Sequence, residues 1–111
     1  MKKKILITAY VFLILSVLSG MTCFSSAADL PKPTSNFFVN DFADVIDSST
    51  EQEIQNAAVQ LYEKSGGAQV VVVTIDSLEG ESLEMYAARL FREWGIGSAK
   101  ENNGVLILIS V

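Results

Sequence analysis

Asp41, Asp44 and Asp47 stand three residues apart, with Asn40 beside the first. Carboxylate oxygens are the ligands that calcium and magnesium prefer. A D-x-x-D pair at the end of a strand or in a loop can converge on one ion. The same acids can instead cap turns or favour the positive end of a helix, and that reading suits Asp47, directly before Ser48, best. For Asp41 and Asp44 both readings stand. The run is no EF-hand loop, because the central glycine and the closing bidentate glutamate are missing. Asp76 follows an apolar run, and ligands of open parallel sheets gather beyond the carboxyl ends of strands; a turn-starting aspartate would occupy the same place. Asn102 and Asn103 offer carbonyl oxygens, or else they serve turn geometry ahead of Gly104. The candidate ligands of a divalent cation are therefore Asp41, Asp44, Asp76 and Asn103.

Other chemistries are closed off in the part of the chain seen. There is no histidine, and the one cysteine, Cys23, lies in an N-terminal segment expected to be removed. A His- or Cys-based nucleophile is then excluded, as is a disulfide framework. Gly95-Ile96-Gly97 follows a helical stretch and has no lysine after it, so it is not a phosphate-binding loop. Phe91 and Trp94 recur at core spacing rather than as a ligand platform. A phosphatase built from these residues would need aspartates holding a metal ion that polarises the phosphoryl group and activates water.

The elements that must position these acids can be read from period and punctuation. Phe37 to Ile46 mixes apolar and acidic residues without a clear period. A helix then opens at Ser48 with Glu51 as a capping box, or at Thr50 with Glu53 in a competing register. Ile54, Ala57, Ala58 and Leu61 form its buried stripe, and Ser65-Gly66-Gly67 stops it. Gln69 to Ile75 is β-branched and almost continuously apolar, the pattern of a strand buried on both faces. Asp76 to Gly80 reads as a loop. Ser82 caps a second helix with the stripe Leu83, Tyr86, Ala87, Leu90, Phe91 and Trp94, and Gly95 ends it. Val105 to Val111 is a second two-sided apolar strand. Strand, helix and strand have the length of a βαβ crossover, so the fold class is α/β with helices packed on a parallel sheet.

The N-terminus reads as an export signal. Lys2, Lys3 and Lys4 precede the apolar stretch Ile5 to Leu18, and small residues follow at Ser25, Ser26, Ala27 and Ala28. That order is the secretory pattern, with cleavage after Ala27 or Ala28. An uncleaved anchor is the competing reading, but the stretch is shorter than the ~20 residues a span needs. Gly20, Met21 and Thr22 make a poor lipobox ahead of Cys23. Residues 29–36, with Pro31 and Pro33, read as a short extended spacer.

With residues 1–28 removed, 8 − 3 = 5 basic side chains remain against 13 acidic ones, a net charge of −8. Such a chain is a poor partner for nucleic acid or anionic lipid and a better one for cations or basic protein surfaces. Acids that merely keep an exported domain soluble would look the same. The chain stops at an apolar strand, and two parallel strands alone would leave exposed edges. The expectation is a domain whose remaining strands lie beyond Val111.

One resemblance gathers these pieces. Phe38-Val39-Asn40-Asp41-Phe42-Ala43-Asp44-Val45-Ile46 resembles the opening motif of the TPM domain family, an apolar residue, V-x-D-x-A and an apolar pair. Gly66 to Thr74 resembles that family's first strand, and Leu78 to Ala87 the start of its second helix. Trp94-Gly95-Ile96-Gly97 and Asn102 to Ile109 complete the match, over residues 37–111 in order and spacing. The resemblance implies an extracytoplasmic three-layer α/β/α sandwich with mainly parallel central strands, of which residues 37–111 would be the N-terminal part. It also implies divalent-cation binding, calcium especially, a link to acid phosphatase activity, and a role in repair or assembly of membrane protein complexes. Bacterial members often carry a membrane anchor after the domain. Three functions follow as expectations: a cation-binding assembly module at the outer membrane face, a metal-dependent phosphomonoesterase using the same aspartates, or a metal-free interaction domain.

Overall fold

A computed structural model describes residues 2–18 and 29–111 of the chain. The N-terminal apolar stretch forms α1 (Lys2–Leu18). It is apolar all round, and Ile5, Leu6, Phe12 and Leu13 are each more than half exposed. Among the described residues no helix is long and apolar enough to cross a membrane. Cys23 and the expected cleavage site at Ala27 or Ala28 lie outside the described residues.

The rest is a mixed helix and strand arrangement around a small parallel sheet. Its elements are β1 (Val39–Asp41), α2 (Ser48–Ser65), β2 (Gln69–Ile75), α3 (Leu83–Glu93) and β3 (Gly104–Ser110). The strands lie in the order β1-β2-β3, both pairs parallel. Val39 pairs with Val72 and Asp41 with Thr74 across β1 and β2; Gln69 pairs with Gly104 and Ile75 with Ser110 across β2 and β3. The short strand β1 falls inside the stretch that shows no period, because three residues are too few to display one.

Alternate residues of a strand point to opposite faces, and β2 uses both. Val71, Val73 and Ile75 pack with Tyr86, Leu90 and Ile96 in one cluster. Leu90 is fully buried, a placement that contributes about 1.5–3 kcal/mol. Val70 and Val72 face the other way and line a groove with Ile54, Ala58 and Leu61 of α2. Central β2 is thus buried on both faces, as its composition predicts. Edge strand β3 is not. Leu106 and Leu108 pack against the cluster, but Val105, Ile107 and Ile109 are 52, 45 and 45% exposed. The two-sided reading of Val105 to Val111 is corrected: composition reports what a strand could bury, and only its neighbours decide what it does bury.

Two local details add to the sequence reading. The cap of α2 is Asp47, as the capping reading of that acid has it, and the capping-box register at Ser48 gives way to it: the Asp47 Oδ1 accepts from the Thr50 N–H at 2.9 Å and its Oδ2 from the Thr50 hydroxyl at 2.8 Å. Residues within 29–36 are anchored to the domain. Leu30 packs against the core, and the Pro31 carbonyl accepts from the Trp94 indole N–H at 3.0 Å. Thr34 bonds the fully buried Asn40, whose Oδ1 accepts from the Thr34 N–H at 2.8 Å and its hydroxyl at 3.0 Å. The Asn40 amide in turn donates to the Phe37 carbonyl. The other ends form as read: Gly66 closes α2 in the left-handed region, and Ser82 caps α3 by accepting from the Met85 N–H.

Candidate functional site

All three strands run the same way, so their carboxyl ends share one edge of the sheet. Asp41 is the last residue of β1, and Asp76 follows the last residue of β2. The loop from Asp41 to α2 carries Asp44 and ends on the cap Asp47; Glu51 sits in the first turn of the helix. Four of the chain's five aspartates and one glutamate therefore stand at this edge.

Asp41 shapes the loop. Its Oδ1 accepts from the Val45 N–H at 3.1 Å and from the Thr74 hydroxyl; its Oδ2 accepts from the Ile46 N–H at 2.9 Å. The buried Thr74 oxygen in turn accepts from the Ala43 N–H at 3.1 Å. One carboxylate and one hydroxyl thus bind three loop amides and hold the turn after β1. Within that turn Asp44 has φ 53°, a left-handed backbone that aspartate tolerates better than most side chains. Asp44 is exposed.

The ionisation of the group follows from these contacts. Burial alone would raise the Asp41 carboxyl, but the Thr74 hydroxyl and the N–H groups of Ile46 and Val45 together hold it below its ordinary 3.8. Asp47 is held down by the Thr50 N–H and then the Thr50 hydroxyl. Glu51 moves the other way. Burial raises it first, and the negative charges of Asp41, Asp44 and Asp47 raise it further. The closeness of Asp41 and Glu51 works in opposite senses on the two, lowering Asp41 and raising Glu51.

The sheet separates the four expected ligands. Asp41, Asp44 and Asp76 stand at its carboxyl edge. Asn103 precedes Gly104, which pairs with the first residue of β2, so it lies at the opposite edge, ~20 Å away at the usual rise per strand residue. There its carbonyl accepts from the Gln69 N–H at 2.9 Å and its Oδ1 from the Ser98 N–H at 2.8 Å. Asn102, with φ 48°, supplies the turn. Asn103 cannot share an ion with the aspartates, and the turn reading of both asparagines is the one the geometry shows.

The V-x-D-x-A segment is thus a strand end whose aspartate organises a loop, and the remaining motifs fall on β2, α3 and β3 in chain order. The TPM domain model matches residues 39–111. The chain belongs to the TPM domain family. No curated protein matches it.

In this TPM domain the acidic edge offers only hard oxygen donors, a set suited to calcium or magnesium and not to the softer transition metals. Of the about four lone pairs a carboxylate has, Asp41 gives two to the loop amides of Val45 and Ile46 and one to the Thr74 hydroxyl of β2. The carboxylates at this edge left for an incoming cation are those of Asp44, Glu51 and Asp76, the last on the neighbouring strand end. Among the described residues no three acidic, histidine or cysteine side chains are placed to hold a metal ion, so water or a partner's groups would supply most of a coordination shell. Glu51 is the member that residue spacing missed. It reads as a capping-box partner, yet it extends the run 41, 44, 47 by one helical turn, and that continuation was the available signal. Phe91 and Trp94 pack against the core as expected.

Proposed function

We propose that this TPM domain is an exported module that takes up a divalent cation, calcium foremost, at the carboxyl edge of its sheet. It acts there as a binding or assembly module for a membrane protein or envelope complex at the outer membrane face. The observation that carries the reading is geometric: the end of β1, the loop after it and the first turn of α2 crowd Asp41, Asp44 and Asp47 around Glu51 at the carboxyl edge of the sheet. A divalent cation beside it would relieve that crowding, as would a basic partner surface. Asp44 and Glu51 are the direct ligands in this reading, Asp41 and Thr74 fix the loop that presents them, and Asp76 borders the edge. The complete fold belongs to the same proposal, a three-layer α/β/α sandwich; it is supported by α2 and α3 packing against alternate residues of β2.

Thermal unfolding of the purified chain under calcium titration tests the site. A ligand bound only by the native state stabilises it by about 2.7 kcal/mol at a hundred times its Kd. The expected result is a saturable rise in Tm that is lost in the double variant Asp44→Asn, Glu51→Gln. No rise in the unaltered chain, or an equal rise in the variant, removes the cation from the proposal.

A further inference from the structure

We draw no further inference here: the strongest candidate, the uncovered apolar face of edge strand β3 formed by Val105, Ile107 and Ile109 beside the groove under α2, carries none because nothing in the structure shows what covers it.

Discussion

Asp41 and Glu51 are neighbours with opposite shifts, so acid acts on them in opposite senses. The Asp41 carboxyl is lowered in the fold. Its stabilisation is full above the ordinary value of 3.8 and is lost as pH falls through the lower folded value. Glu51 is raised from 4.5. Its protonated form favours the fold below that value, and the advantage disappears as pH rises through the folded value. A Tm profile taken with chelator present should therefore fall in acid and also sag above pH 4.5. Glu51→Gln should remove the upper sag and leave the protein more stable at neutral pH; an unchanged or lower Tm there would contradict the crowding. Asp41→Asn should weaken the acid fall without abolishing it, since Asp47 contributes in the same direction. The same variant turns an amide donor toward N–H groups that need an acceptor, at a cost of about 1–3 kcal/mol in urea unfolding. Were Asp41 only a cation ligand, that cost would vanish in calcium-free buffer.

At the scale of elements, the turn between α3 and β3 depends on two glycines meeting. Gly97 has φ 73°, and a Cβ built on it would lie 2.5 Å from the Gly104 backbone. Gly97→Ala meets both a left-handed backbone, ~1–2 kcal/mol, and an overpacked contact, ~1–3 kcal/mol. A loss on the order of 3 kcal/mol in urea unfolding is expected, and a loss under about 1 kcal/mol would show that the crossing opens freely. The motif Gly95-Ile96-Gly97 was legible as something other than a phosphate loop, but the reason for its second glycine was not: the partner backbone lies seven residues on, across a loop. The same division runs through the fold. Helices α2 and α3, the two long strands, the Ser82 cap and the Gly66 stop were legible because each rests on neighbours in sequence. What was not legible depends on distant partners. β1 exists because Phe38 to Asp41 meets Val72 to Thr74, and the segment at 29–36 is held by Trp94, more than sixty residues away. Glu51 joins the acidic edge only because α2 starts where β1 ends.

For the whole molecule, charge raises a question that no single residue answers. The chain carries a net charge of −5, and −8 once the three N-terminal lysines are discounted with residues 1–28 (5 − 13). A surplus of that sign destabilises a compact state through self-repulsion, so any added salt should raise the Tm of this TPM domain somewhat by screening. Calcium would do this too, without any site. The two effects separate by shape and by location. Screening reaches exposed charges beyond the Debye length, ~10 Å at 0.1 M salt, and grows gradually with ionic strength; a site saturates. Calcium titrated against sodium chloride at matched ionic strength should retain a saturable increment in the unaltered chain. The variant Asp44→Asn, Glu51→Gln, whose net charge is two units less negative, should show only the gradual part, and a weaker one. If calcium and sodium superimpose at equal ionic strength, the acids at the carboxyl edge act as a field rather than a site. The module's partner would then be sought among basic protein surfaces, whose binding should weaken steeply as salt rises.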